Sequence, residues 1–351
     1  MISKLDSLLK STDGIMLNSP HSMRYFSGFS GGEGVALITP EKRMLFTDSR
    51  YTEQATNETK DKGYSVIETN DPLSNAGDEI FALGLAEVLF EDAEVSVLEY
   101  NKLCEKAQKT KFVSGSQQIS MTRMVKTEEE LEKIEIAEGI ACDAFENILG
   151  IIKPGISENE IALELEYFMR KNGGEGVAFE TIAISGKKTS LPHGRPSDKK
   201  IEKGDFVTMD FGCIYKGYCS DMTRTVVVGR ASGEQRKIYE IVRAAQQRGL
   251  ESICAGVLSS DADAAARRII EDAGYGKNFG HSLGHGVGLL IHELPNLSPR
   301  SSVILEENMV VTCEPGIYIE GFGGVRIEDM VCVKKNGIKN FTRADKKLIE
   351  L

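Results

Sequence analysis

One pattern occurs twice in this chain, and it restricts the possible folds more than any other feature. Val207-Thr208-Met209-Asp210-Phe211-Gly212 is echoed by Val311-Thr312-Cys313-Glu314-Pro315-Gly316. Each copy ends a β-rich run on a carboxylate with a glycine two residues later. Each continues through Ile-Tyr and another glycine, as Ile214-Tyr215-Lys216-Gly217 and Ile317-Tyr318-Ile319-Glu320-Gly321. Each then reaches a second acid, Asp221 or Glu328. A hairpin folds back over such a distance, so both acids of a pair can face one point. A repeat of this kind implies two related halves, with four carboxylates meeting near their midline. Converging carboxylates repel and raise one another's pKa unless a cation neutralises them, and a divalent metal is the natural cation.

Between the two copies runs Gly280-His281-Ser282-Leu283-Gly284-His285-Gly286-Val287-Gly288-Leu289-Leu290-Ile291-His292-Glu293, which holds three of the chain's five histidines. Histidine is the commonest metal ligand and the usual proton carrier near neutral pH. Glycine lets backbone approach a ligand closely. His285 can supply a nitrogen to the acidic centre, and four carboxylates with one imidazole suit two hard or borderline divalent ions. The competing reading, solvated hairpins with a chance echo, leaves this clustering unexplained. Cys213, Cys219 and Cys313 lie beside the proposed centre but lack paired spacing, so they read as small packing residues and not as thiolate ligands.

Composition excludes other classes. With 351 residues the chain has room for about two domains. A net charge of −11, without a basic arm, disfavours nucleic acid and anionic membranes as partners. Seven cysteines, an odd number with no C-x-x-C pair, point to reduced thiols and a cytoplasmic location. The first residues carry charge early and lack the apolar core of a signal peptide. No uncharged apolar run approaches the ~20 residues of a membrane helix.

The periodicities predict a short amphipathic helix at 3–10 and a strand at 15–17. Residues 18–32 read as an aromatic, glycine-rich turn region containing His21, taken as a structural or rim residue. A hairpin is expected from 35–39 and 43–47, then a helix from about 51 to 62 capped by Asp48 or Ser49. Strands at 64–68, 88–91 and 95–98 should alternate with helices at 77–85 and 100–110. This is an α/β domain spanning 1–122. The second domain, 123–351, opens on Thr127 and Glu130, spaced as a capping box for a helix to about 149. That helix should bury Ile134, Ile136, Ala137, Ile140, Ala141 and Ala144. The next, at 157–172 with Ser157 as cap, should bury Ile161, Leu163, Leu165 and Phe168. Strands are expected at 179–185, 206–211 and 223–228, and helices at 233–255 and 261–273.

With these residues in place the sequence resembles the pita-bread metallopeptidases, and within them the Xaa-Pro peptidases, proline dipeptidase and aminopeptidase P. Arg24-Tyr25-Phe26-Ser27-Gly28-Phe29 and Thr47-Asp48-Ser49-Arg50-Tyr51 resemble the marks of a creatinase-type N-terminal domain. Leu191-Pro192-His193-Gly194, Ser220-Asp221-Met222-Thr223-Arg224-Thr225, Glu314-Pro315-Gly316-Ile317-Tyr318 and Val325-Arg326-Ile327-Glu328-Asp329 resemble the catalytic half. The resemblance implies an α/β N-terminal domain followed by a pita-bread domain with internal pseudo-twofold repeat. It implies the metal ligands Asp210, Asp221, His285, Glu314 and Glu328, with Asp221 and Glu328 bridging two divalent ions. Manganese is favoured by the resemblance over cobalt or zinc. It implies that His193 and His292 contact substrate, with His281 beside them, that Glu314 handles the proton of water, and that Arg326 orients a ligand carboxylate. The implied substrate is a short peptide with proline second, and the implied assembly a homodimer. Methionine aminopeptidase is disfavoured by the separate N-terminal domain. Creatinase, which works without these metals, and a catalytically silent peptide-binding module are disfavoured by the complete ligand set.

Overall fold

The structure, a computed structural model, describes residues 2–351. The chain divides into two compact units, one ending at Arg123 and the other spanning Met124–Leu351. The first contains, in order, α1 (Ile2–Leu9), β1 (Gly14–Leu17), α2 (Pro20–Ser27), β2 (Val35–Ile38), β3 (Arg43–Thr47), α3 (Thr52–Thr59), β4 (Ser65–Glu68), α4 (Pro72–Ala82), β5 (Glu87–Phe90), α5 (Val97–Lys106), β6 (Lys111–Ser114) and α6 (Ser116–Met121). Its six strands form one mixed sheet in the order β4-β3-β2-β1-β5-β6. The 35–47 hairpin pairs β2 with β3 antiparallel, and helical crossovers make β3–β4, β1–β5 and β5–β6 parallel.

Three local expectations fail here. Residues 20–27, read as turn, are helical: Ser19 accepts from the Ser22 N–H, Pro20 takes the first turn, and Gly28 closes the helix at φ 83°. That is the Ser-Pro start and Gly stop of a capped helix, and His21 lies within it. The strand expected at 95–98 is the start of α5, because Ser96 and Glu99 form a reciprocal capping box. It leaves Val97 and Leu98 exposed. Neither Asp48 nor Ser49 caps α3. Tyr51 occupies that position without a side-chain bond, and Asp48 instead binds the backbone and guanidinium of Arg50.

The second unit continues with α7 (Glu128–Leu149), α8 (Glu158–Lys171), β7 (Gly176–Val177), β8 (Ile182–Ser185), β9 (Phe206–Phe211), β10 (Cys213–Tyr215), β11 (Tyr218–Cys219), β12 (Met222–Val227), α9 (Gly233–Ser252), α10 (Ser259–Asp272), β13 (Gly284–Gly286), β14 (Glu293–Leu297), β15 (Val310–Cys313), β16 (Gly316–Ile319), β17 (Gly323–Arg326), β18 (Asp329–Lys334) and β19 (Gly337–Asn340). The echo in sequence is an echo in structure. Antiparallel β9 and β12 enclose the hairpin β10–β11, and antiparallel β15 and β18 enclose the hairpin β16–β17. One helix pair, α7–α8, belongs to the first half and another, α9–α10, to the second.

Capping boxes at Thr127 and Ser157 start α7 and α8 as expected. Their apolar faces pack on the strands: Ala137, Ala141, Ala144 and Phe145 join Met209, Phe211 and Met222 in one cluster. Ile136 and Leu163, expected to be buried, are 39% and 64% exposed. Each is two residues from a buried neighbour, and a step of two turns about 200° around a helix.

Candidate active site

The two enclosing strand pairs aim four acids at one place. Asp210 is near the end of β9 and Asp221 directly precedes β12, with Thr223 opposite Asp210 in register. Glu314 directly follows β15 and Glu328 directly precedes β18, with Asp329 opposite Cys313. Glycine permits the close approach. A Cβ at Gly212 would lie 1.9 Å from the Ser220 carbonyl oxygen, and one at Gly284 would lie 2.1 Å from that of Thr312. His285 sits in the middle of β13, where its backbone N–H donates to Thr312 Oγ1 at 3.1 Å.

His285 Nδ1 faces the Gly286 carbonyl oxygen at 3.1 Å. A carbonyl can only accept, so the proton belongs on Nδ1 and Nε2 carries the lone pair. Nε2 lies 3.4 Å from Asp221 Oδ2 and 3.5 Å from Glu314 Oε1. Burial, followed by the His292 charge, pushes the imidazole down to about 4. With the ring neutral, these separations are too long for strong hydrogen bonds and read as donors converging on a shared point. Asp221, His285 and Glu328 each place a ligand atom within 4.8 Å of the others. Asp210 Oδ1 and Glu328 Oε1 are buried without a hydrogen-bond partner. Buried carboxylate oxygens are ordinarily satisfied, so this donor set fits a cation.

The electrostatics agree. Burial, then the charges of Glu328, Asp210 and Glu314, raise the Asp221 carboxyl well above its ordinary value. Burial, then Glu314 and Asp210, do the same to Glu328. Burial pushes Glu314 up to about 8, against the opposing charge of Arg326. These acids are costly to ionise together without positive charge among them.

A surrounding shell fixes the acids. Arg326 Nη2 donates to Asp210 Oδ2 at 2.5 Å, Nη1 to the Tyr318 hydroxyl at 2.8 Å, and Nε to Thr223 Oγ1 at 3.0 Å. Thr223 in turn donates to Glu328 Oε2 at 2.6 Å. Glu138, fully buried on α7, accepts from the Asp221 backbone N–H at 3.2 Å and from Thr342 Oγ1 at 2.5 Å. Arg224 donates to the Glu328 carbonyl oxygen at 2.5 Å and to Asp329 Oδ1 at 2.8 Å. Cys213, Cys219 and Cys313 are buried beside the centre, and burial pushes the first two thiols up to about 12. They pack and do not ligate.

All nine residues singled out from the sequence (His193, Asp210, Asp221, His281, His285, His292, Glu314, Arg326 and Glu328) line one cavity of about 620 Å³. That volume suits a small peptide. The His292 ring meets that of His285 with centroids 4.3 Å apart, while His193 is an exposed residue of the cavity lining. His281 Nε2 is 2.9 Å from the Tyr318 hydroxyl, and burial pushes it down to about 4.

The model of metallopeptidase family M24 matches residues 132–335, and that of the creatinase/prolidase N-terminal domain matches residues 2–125. The chain belongs to metallopeptidase family M24. It is 40% identical over 364 residues to the Xaa-Pro dipeptidase of Pyrococcus furiosus, covering 99% of this chain and 100% of that protein. The solved Xaa-Pro dipeptidase from Bacillus anthracis superposes with a TM-score of 0.96 at 44% identity, covering 100% of this chain and 99% of that one. The X-Pro aminopeptidase from Thermotoga maritima superposes with a TM-score of 0.91 at 40% identity, covering 99% of each chain. The architecture is therefore the family's N-terminal domain and pita-bread domain, the chain is a peptidase, and family membership carries with it the use of divalent metal. Among the described residues no helix is long and apolar enough to cross a membrane.

Several residues of this M24 site were not assigned roles from the sequence. Thr223 and Tyr318 lay inside the motifs but carried no signal of what they touch. Glu138 did carry one: it is an acid at helical spacing between Ile134 and Cys142, both buried. Arg195 and Glu180, which pair across 2.9 Å at the cavity wall, had no pattern to mark them.

Proposed function

We propose that this chain is a dinuclear-metal peptidase that hydrolyses the Xaa-Pro bond at the N-terminus of short peptides. What carries the reading is one cavity that gathers four acids, two of them buried, and an imidazole, in a chain 40% identical along its length to a protein named Xaa-Pro dipeptidase. Asp210, Asp221, His285, Glu314 and Glu328 would hold two divalent ions. Manganese, cobalt and zinc all suit oxygen donors with one imidazole, and manganese is the ion that the resemblance implies. Such a pair supplies the Lewis acidity that activates water and polarises a carbonyl.

The remaining steps belong to the chain. Glu314, beside the centre, receives the proton of the attacking water at a carboxylate oxygen. The bond before proline is a tertiary amide, so its nitrogen leaves poorly unless protonated. His292, packed against the ligand imidazole, is placed to deliver that proton, and His193, also in the cavity lining, to stabilise the developing oxyanion. Arg326 holds Asp210 aimed into the cavity through its bond to Oδ2. The free thiols support the cytoplasm as the compartment.

The test is to compare Ala-Pro with Ala-Ala on metal-loaded protein. The reading predicts kcat/KM at least tenfold higher for Ala-Pro, because a site shaped for the ring loses packing and geometry when the ring is removed. Equal values would leave a metallopeptidase but remove the Xaa-Pro specificity.

A further inference from the structure

We propose that Glu158 is a positioning residue for His193: its one carboxylate closes the loop that presents this histidine to the substrate cavity. The inference rests on the role proposed for His193 and names what holds that side chain in place. Glu158 is the first residue of α8, and its side chain is 0% exposed. It is not among the residues lining the cavity. Its carboxylate takes four donors. Oε1 accepts from the Ser185 backbone N–H at 2.7 Å and from Ser185 Oγ at 2.9 Å. Oε2 accepts from Lys188 Nζ and from Ser197 Oγ, both at 2.7 Å. A carboxylate has about four acceptor sites, so this one is fully used. A buried ion pair is often no more stabilising than a packed apolar side chain of similar volume. Charge-assisted bonds add a fixed geometry that an apolar side chain lacks.

What these bonds fix is a loop. Ser185 ends β8. Lys188 and Ser197 stand nine residues apart, and Lys188 Nζ also donates to Ser197 Oγ at 3.0 Å. His193 lies between them and is exposed. It sits on the turn in which the Gly194 N–H donates to the Leu191 carbonyl at 3.0 Å. Entry and exit of the loop therefore meet at one buried carboxylate oxygen. The first turn of α8 reinforces the exit. The Asn159 N–H donates to the Ser197 carbonyl and the Glu158 N–H to that of Lys199, both at 3.1 Å. Helix N-terminal N–H groups have no partner within the helix, and here the loop supplies it. An exposed side chain takes its place from the backbone that carries it. A misplacement of about 1 Å at a reacting group can cost on the order of 10²-fold in rate.

The experiment is a double-mutant cycle. It measures kcat and KM for Ala-Pro, with metal content, on metal-loaded wild type, Glu158→Gln, His193→Ala and the double variant. Gln keeps the shape of Glu, but its amide NH2 cannot accept from Lys188 and Ser197. Glu158→Gln should retain its metal and lose kcat by ~10–100-fold, with KM little changed. In the His193→Ala background the same change should lower kcat by less than about twofold, because a residue that acts through another is non-additive with it. Ser197→Ala removes one donor and should lose ~3–10-fold in kcat, a loss that likewise vanishes in His193→Ala. It takes the place of Glu158→Gln should that variant fail to fold. Losses that multiply in the double variant, metal lost along with kcat, or an unchanged kcat in Glu158→Gln overturn the proposal and leave the role of His193 standing. Wild-type kcat in His193→Ala removes that role and the proposal with it. Should the wild type cleave Ala-Ala as well as Ala-Pro, the Xaa-Pro reading fails, and the same cycle on Ala-Ala decides the part played by Glu158.

Discussion

Replacing Arg224 with Met should destabilise the second unit more than any surface change, and the structure sets the scale. The Arg224 side chain is 1% exposed and that of its partner Asp329 is 0% exposed. Its guanidinium also donates to the carbonyl oxygens of Thr223, Glu328, Ala344 and Asp345. It therefore ties the first half of the repeat, through β12, to the second half beside Glu328. Removing one member of a buried pair costs ~3–5 kcal/mol, because the other charge stays buried. Asp329 keeps Lys346 at 2.9 Å and Asn340 at 2.7 Å, which favours the lower end of that range. At roughly 2–4 °C per kcal/mol for a unit of this size, Tm should fall by about 6–12 °C, measured by calorimetry with metal in fixed excess. Arg224→Met with Asp329→Asn should cost less than the sum of the two single changes, with a coupling of ~1–3 kcal/mol. A single-variant shift under about 2 °C, or strict additivity, would refute the view that this pair clamps the halves.

Three further outcomes follow from the site. Asp221→Asn removes a buried carboxylate charge from the proposed ion-holding set, so metal content and activity should drop together; full activity with two ions retained would sink the assignment. His292→Ala should keep its metal and lose kcat by ~10²–10⁴-fold, and an equal loss of metal would make His292 a ligand instead. Stripped of metal, the protein should lose stability as pH rises. With Glu314 pushed up from 4.5 to about 8, the folded state binds protons more tightly than the unfolded state. The stabilisation is complete below about 4.5 and gone once pH passes about 8. Tm of chelated protein should fall between about 6.5 and 8, above the range in which the depressed His281 and His285 give the opposite slope, while metal-loaded protein changes little, and a flat profile for both would show that burial does not hold Glu314 protonated.

The site was more legible than its supports. A repeated acid-glycine pattern fixes where strands end and turn, and ligand chemistry admits few residue types, so the acids and histidines announced themselves. Ile136 and Leu163 are apolar but lie off the buried phase of their helices, so composition points inward where helical phase points out. Residues 20–27 carried their Ser-Pro and Gly caps in plain view, but aromatic and glycine content suggested a turn. Residues 95–98 show the reverse: local β propensity lost to a Ser96–Glu99 capping box. The contacts of Arg224, Thr223 and Glu138 depend on which backbone lies opposite, and no local pattern encodes that.

The central claim is a dinuclear metal centre that cleaves the bond before proline, and metal analysis coupled to titrated reconstitution tests it most directly. Protein stripped with chelator and reloaded with Mn2+ should bind two ions per chain, with Ala-Pro hydrolysis absent in the stripped protein and restored as the ions return. Undiminished hydrolysis in the stripped protein, or a chain that binds no divalent ion, would contradict the account.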